Sequence, residues 1–270
     1  MTESKLLVIV IRTPNSDRYL PIEALLKNDK RFELEYIEAS MTPTYNDVSS
    51  RNIAYSTEIF EYFHGRKLAP PEIGCADSHN RARHLIQFSS NGGVILEDDA
   101  RIIDVDLFYD VSLLFLNSSQ RSKSILTLTP FDKLIKNHSK KVKKIRVLGT
   151  PDLAVAYVLT PSAAKSLIKV NQPIVSVADW PNSRCKFYIT NIQCITHGDA
   201  NTRSTISVDE NDFRNNYDLK LKLSQFFLLT INKRPASLNI QEYFYVIFFK
   251  RLLWYFEKVK LVVIGFRPKK

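Results

Sequence analysis

Asn91-Gly92-Gly93-Val94-Ile95-Leu96-Glu97-Asp98-Asp99 joins a turn, an apolar run and an acidic triplet without a spacer. The Asn-Gly-Gly step breaks regular structure and turns the chain. Val94-Ile95-Leu96, apolar without alternation, reads as a strand buried on both faces. Upstream, Pro70-Pro71 opens a helix near 72–89, with Ile73, Ala76, Leu85, Ile86 and Phe88 at its apolar positions. Before it come a strand at 6–11, a turn at Thr13-Pro14-Asn15, a helix near 17–28 carrying Leu20, Ile22, Leu25 and Leu26, and a strand at 32–38. Downstream, Ile125 to Leu128 and Leu153 to Thr160 read as strands, with the basic segment 133–146 as a charged hairpin or loop between them. A helix follows Pro161 over 162–170, and a further strand over 186–196 runs into His197-Gly198-Asp199. Strands alternating with helices predict an α/β fold with a mostly parallel central sheet. Such sheets bind ligands beyond the carboxyl ends of their strands, where the acidic triplet falls.

The chain of 270 residues, 44% hydrophobic and 24% charged, is long enough for one large domain with a sizeable core, or a domain with an appendage. Its 7 glycines contain no G-x-G arrangement, which excludes the dinucleotide fingerprint and the P-loop. Cys75, Cys185 and Cys194 are widely spaced and odd in number, which fits neither a disulfide framework nor a zinc knuckle and points to a reducing cytosol. The net charge of +10 is unevenly spread: residues 133–146 hold seven Lys or Arg and no acid, and residues 219–270 hold 11 against two acids. A nucleic-acid binder spreads its basic footprint over the recognition surface, so nucleic acid is not the expected partner. The N-terminal apolar run, Leu6 to Ile11, is too short for a signal peptide, and no run reaches the ~18 residues that span a bilayer. The expectation is a soluble or peripheral protein with a catalytic domain at 1–218 and a basic C-terminal helical region at 219–270.

Three adjacent carboxylates beside an apolar strand repel one another and call for a neutralising partner. Mg²⁺ or Mn²⁺ suits the task, because such hard cations take one or two carboxylates and complete their shell with water and substrate phosphates. The alternative, an acidic solvated turn, is disfavoured by the position at a strand end. His79 reads either as a buried, satisfied histidine or as a ligand contact. His197, after a strand and before Asp199, is a candidate metal ligand from the opposite side of a cleft. Asp179 reads either as a helix N-cap before Trp180-Pro181 or as a general base. Cys75 reads as a small core residue.

Ile73-Gly74-Cys75-Ala76-Asp77-Ser78-His79, followed some twenty residues later by Val94-Ile95-Leu96-Glu97-Asp98-Asp99-Ala100, resembles the paired signature of glycosyltransferase family 25, the bacterial lipooligosaccharide glycosyltransferases. Gly149-Thr150 through Ala156-Tyr157-Val158-Leu159-Thr160-Pro161, and Pro173 through Ala178-Asp179-Trp180, resemble later segments of the family in the same order. The resemblance spans residues 5 to about 206. It implies a GT-A type nucleotide-sugar fold, a UDP-hexose donor, commonly UDP-galactose, and an inverting, metal-dependent transfer onto a lipooligosaccharide. By the same resemblance Asp99 is the direct metal ligand and Glu97 faces the ribose or a metal-bound water. Asp98, Ser78 and His79 belong to the donor site, and Arg12 and Arg18 lie near the nucleotide. Asp77 departs from the family pattern, which carries an apolar residue there. Inverting transfer needs a base for the acceptor hydroxyl, and Asp179 fills that role, with Trp180 stacking on an acceptor sugar and Asp77 or Asp152 as alternative bases.

In residues 240–266, Glu242, Lys250, Arg251, Glu257, Lys258 and Lys260 gather on one face of a helix, with Phe244, Ile247, Phe248, Leu252, Tyr255 and Phe256 over much of the rest. A basic amphipathic helix of this kind lies on anionic lipid. The competing reading packs it on its own domain or on a second protomer in a homodimer. Two functions from different classes follow: a glycosyltransferase at the cytoplasmic face of a bacterial inner membrane, acting on a lipid-linked saccharide, or a catalytically silent saccharide- or membrane-binding relative. The intact acidic triplet favours the first.

Overall fold

The computed structural model describes residues 5–64, 67–119, 122–129, 144–147, 154–178, 185–190 and 192–198. By its contacts the chain divides into one unit at Met1–Val208 and another at Asp209–Lys270. All described residues belong to the first unit, and the expected C-terminal helix lies outside them.

The opening is β1 (Leu6–Arg12), α1 (Leu20–Leu26) and β2 (Phe32–Glu38), with β1 and β2 parallel in the register Leu6 to Phe32 through Arg12 to Glu38. Two short helices, α2 (Tyr45–Ser50) and α3 (Thr57–His64), precede the long helix α4 (Pro70–Phe88). Glu72 accepts a hydrogen bond from the Ala69 N–H at 2.8 Å, which satisfies an orphan donor of the α4 first turn. The chain then reverses through Gly92 at φ +99° into β3 (Gly93–Glu97). Only glycine suits Gly92, because a Cβ there would meet the Leu159 carbonyl oxygen and Leu116 as well as a strained backbone.

After β3 follow β4 (Ala100–Ile102), α5 (Val105–Ser119), β5 (Ser124–Thr127), β6 (Lys144–Val147), β7 (Ala156–Leu159), α6 (Pro161–Val170), β8 (Lys186–Thr190) and β9 (Ile195–His197). The main sheet has the order β2-β1-β3-β7-β5-β8-β6 among the described residues. Five of these strands run one way, while β7 and β6 run against them, so the expected mostly parallel sheet carries one antiparallel strand at its centre and one at its edge.

Strand residues alternate between two helical layers. Val8, Val10, Val94 and Leu96 pack with Ile22 and Leu26 of α1 and with Phe108, Val111 and Phe115 of α5. Ile9, Ile11 and Ile95 point the other way, onto Ala82 and Ile86 of α4 and Ala163, Ala164 and Leu167 of α6. Burial on both faces explains why β1 and β3 are almost unbroken apolar runs. A smaller cluster, Val48, Phe60, Leu68, Ile73, Ala76 and Ile174, fixes α2 and α3 against α4.

The single strand expected over 186–196 is two strands in different sheets: β8 joins the main sheet parallel to β5, whereas β9 pairs antiparallel with β4. The segment between them breaks the ladder so that the Cys194 carbonyl can accept the Ile103 N–H at 2.9 Å. The basic segment reads as a loop only in part, since Lys144–Val147 forms β6 at the sheet edge, and residues 130–143 lie outside the described set. Among the described residues no helix is long and apolar enough to cross a membrane.

Candidate active site

Parallel pairing of β1 with β2 and β3 brings Arg12, Glu38 and Glu97 to one edge of the sheet. Beyond that edge the acidic triplet meets three separate parts of the chain. The Thr13 N–H donates to Asp98 Oδ2 at 2.9 Å, so Asp98 anchors the loop that leaves β1. Arg18, on the same loop, reaches Asp99 Oδ2 at 2.8 Å and Asp98 Oδ1 at 3.4 Å. The β4–β9 ladder sets Ala100 opposite His197, and His197 Nε2 lies 3.2 Å from Asp99 Oδ2. Gly198 donates its N–H to the Asp99 carbonyl at 2.8 Å, and a Cβ at that position would crowd the same oxygen. Arg101 closes the turn, donating to the carbonyls of Asp98 at 3.1 Å and Ala100 at 3.0 Å.

Asp99 is buried, and its second oxygen, Oδ1, has no hydrogen-bond partner. Burial, followed by the charge of Glu97, raises its carboxyl above the ordinary range despite His197 and Arg18. Glu97 shifts the other way. Loss of water pushes it up, but the hydrogen bond with His79 and the electrostatic pull of His79, His197 and Arg18 together bring it below its ordinary value. The two neighbouring carboxylates thus shift in opposite directions, the charged form of Glu97 being favoured by its partners and that of Asp99 disfavoured by its burial.

His79 is 1% exposed, with Nε2 3.0 Å from Glu97 Oε1 and Nδ1 2.9 Å from the Tyr157 hydroxyl. Of the residues expected at the donor and metal sites, Arg18, Asp98, Asp99 and His197 are joined by direct contacts, and Glu97, next in the chain to Asp98, pairs with His79. Arg12 sits at the same sheet edge, its guanidinium over the rings of Tyr19 at 5.6 Å and Tyr36 at 5.5 Å. Ser78 is turned elsewhere: its buried hydroxyl accepts from the Ser40 N–H and donates to the Gly74 carbonyl, both at 2.8 Å, tying the loop after β2 to α4. Asp77 stays within α4, accepting from the Ser40 hydroxyl and pairing with Arg81 at 3.2 Å. Asp179, Trp180 and Asp152 lie outside the described residues.

Sequence reasoning did not single out Arg83, Tyr157 or Arg101. Arg83 is fully buried, donating to the Ala178 carbonyl at 2.8 Å and to Asn80 Oδ1 at 3.2 Å, with its guanidinium 5.8 Å from the Tyr157 ring centre. Its i,i+4 spacing from His79 was the available signal. Cys75, His79 and Glu97 also form a group whose ligand atoms lie within 4.8 Å of one another.

The fold and site define an α/β protein with a carboxylate and histidine cluster at the ligand edge of its sheet. The sequence model of glycosyltransferase family 25 (LPS biosynthesis protein) matches residues 14–180, and the chain belongs to that family. It is accordingly a transferase of LPS biosynthesis, with a sugar donor and an oligosaccharide acceptor. No curated protein matches the chain.

Proposed function

We propose that the chain moves a hexose, galactose in the first instance, from a UDP-sugar onto a lipooligosaccharide, with inversion at the anomeric carbon on a GT-A type fold. The observation that supports this reading most is Asp99, a buried carboxylate with one oxygen shared by Arg18 and His197 and the other without a partner. That donor set, a carboxylate oxygen beside an imidazole nitrogen, fits Mn²⁺ or Mg²⁺, with Asp99 and His197 as the residues that would hold it. When bound, such a cation offsets the charge that develops on a departing diphosphate.

The chain's own residues supply the rest. Arg18 keeps the neighbouring carboxylates from repelling each other and brings a positive charge to the nucleotide side of the cleft. Asp98, committed to the Thr13 N–H, fixes the loop that runs from Arg12, at the end of β1, to Arg18. Glu97 faces the ribose or a metal-bound water. Asp179 takes the proton of the acceptor hydroxyl as it attacks, and Trp180 stacks on the acceptor sugar. Residues 240–266 hold the enzyme on the cytoplasmic face of the inner membrane, where a lipid-linked acceptor is reached.

Calorimetry with Mn²⁺ and UDP, beside a UDP-sugar hydrolysis panel with and without Mn²⁺, tests the reading. Wild type is expected to bind UDP only with the metal present and to hydrolyse one hexose donor preferentially. Asp99→Ala is expected to lose both while remaining folded. Undiminished metal-dependent UDP binding by that variant would defeat the metal assignment.

A further inference from the structure

On the side of α4 away from Glu97, a cavity of about 670 Å³ opens between that helix, the loop after α2 and the segment that follows α6. His79 turns to Glu97, whereas Asp77, Arg81 and His84 recur at i, i+4 and i+7 and line the cavity from the opposite stripe of the helix. The other walls are tied to each other and to α4. The Ser56 N–H donates to the Ile174 carbonyl at 2.8 Å, and the Ile174 N–H donates to the Ala54 carbonyl at 2.9 Å. Asn52, at φ +53°, bends the loop between them, in a conformation that asparagine tolerates better than most residues. Asn80, buried on α4, donates to the Asn171 carbonyl at 3.0 Å and so fixes the helix to the start of the third wall. The cavity is thus preformed, and its volume is that of a small-ligand site. It lies at the ligand edge of the sheet, because Arg81 donates to the carbonyl of Glu38, the residue opposite Arg12 at the end of β2.

The charges of the lining do not cancel. Asp77 is matched, accepting from the Ser40 hydroxyl and pairing with Arg81 at 3.2 Å. Arg51, which ends α2, has no ion pair among the described residues, and Asp47, the acid of that helix, is taken up by its capping box with Thr44. Counting histidine as neutral, the cavity therefore holds Arg51 and Arg81 against Asp77, a surplus of positive charge. Beside Arg51 stand the side-chain amides of Asn52 and Gln172, which can both donate to and accept from hydroxyl groups. None of the described lining residues is Phe, Tyr or Trp, so a nucleoside base would find no ring to stack on.

We infer that this cavity binds an acidic saccharide, a sugar unit bearing a carboxylate or a phosphate, with Arg51 taking the anion and the amides of Asn52 and Gln172 taking hydroxyls. The guanidinium fork matches either anion in bidentate fashion. Use of the cavity as an acceptor subsite, which grips a charged unit of the oligosaccharide while another unit is glycosylated, rests on the proposed function. Binding of the sugar anion does not, so the two fail separately.

Saturation-transfer NMR titrations of full-length protein with glucuronate, glucose 6-phosphate, glucose and inorganic phosphate test the inference. At least one of the two sugar anions is expected to bind at least about tenfold more tightly than glucose, and more tightly than inorganic phosphate, since hydrogen bonds to charged groups are the stronger kind. Arg51→Ala is expected to remove that preference, and so is Ala54→Glu, which sets a carboxylate against the anion; both side chains are exposed in the fold. Neither substitution is expected to change metal-dependent UDP binding, and saturating UDP with Mn²⁺ is expected to leave glucuronate bound. Equal affinity for glucose and both sugar anions, inorganic phosphate binding as tightly as glucose 6-phosphate, an unchanged preference in both variants, or displacement of glucuronate by UDP would each overturn the inference. Failure of wild type to bind UDP with Mn²⁺, beside a sugar-anion preference that Arg51→Ala removes, would overturn the proposed function and leave the cavity as a saccharide site.

Discussion

Asp99 is placed under opposed demands, because the burial that would suit it to the proposed cation also disfavours its charged form in the absence of one. Its folded-state carboxyl is raised by burial and by Glu97. A raised acid contributes stability that is fully present below its unfolded pKa, about 3.9, and is lost as pH rises through the folded value. At neutral pH the charged form is therefore a stability cost. Asp99→Asn is expected to be at least as stable as wild type to urea at pH 7 without added metal, with the difference vanishing as the pH is brought down to about 4 and both side chains become neutral. A clear loss of stability in the variant at pH 7 would mean that the Arg18 ion pair outweighs the burial of the charge. Glu97 titrates in the opposite sense, its stabilisation being lost as pH falls, and because its charge and that of Asp99 repel each other, relief of that repulsion is part of the gain expected for the variant at pH 7. The proposed base makes a separate demand. Asp179→Asn cannot accept a proton, so turnover should fall by ~10² to 10⁴-fold while UDP affinity stays near wild type. Near-normal turnover would move the base to another carboxylate, and Asp77, already held by Ser40 and Arg81, would be the less suitable of the two alternatives.

At the scale of elements, what could be read from sequence was whatever has a period or a strong local cue. β2 was legible to the residue, and α4 was legible at its start because Pro70-Pro71 and Glu72 satisfy the first turn locally. The turn at Gly92 was legible from Asn-Gly-Gly, although the reason glycine is needed, the nearness of the Leu159 carbonyl, depends on a strand far away in the sequence. The helix expected at 17–28 starts only at Leu20, because residues 13–18 are drawn off by long-range partners, Thr13 by Asp98 and Arg18 by Asp99. α5 was overlooked although its signals were present: Asp104 Oδ1 caps Leu107 N at 2.9 Å, and Phe108, Val111, Phe115 and Leu116 follow at helical spacing. The site residues were legible because the acidic triplet follows a strand. Their connections were not: His197 was marked as a ligand from the far side of a cleft, but the two-stranded ladder that carries it to Asp99 has a register no local cue reveals, and the burial of Arg83 shows only in the fold.

At the scale of the whole molecule, the distribution of charge asks for its own explanation. Residues 219–270 carry 11 of the chain's basic residues against Glu242 and Glu257, together with 11 of its 30 aromatic residues, and they begin well beyond the stretch that the family model matches. A catalytic domain with its site at the sheet edge needs none of this for soluble substrates. A lipid-linked acceptor is a different matter, because exposed Lys and Arg draw an amphipathic segment to an anionic surface and its aromatic side chains enter the interface. Truncation after Asp218 is therefore expected to leave transfer to a small soluble acceptor largely intact and to reduce activity on acceptor carried in anionic vesicles. Full-length protein should co-sediment with those vesicles at low salt and release as salt rises, since attraction between exposed charges is screened over about 8 to 10 Å at physiological ionic strength. If the segment instead packs on protein, truncation should give insoluble chains or a lost oligomer, with no vesicle binding by the full-length protein at low salt. That result would leave Lys250, Arg251, Lys258 and Lys260 as a solvated face and would remove the membrane from the account of how the acceptor is reached.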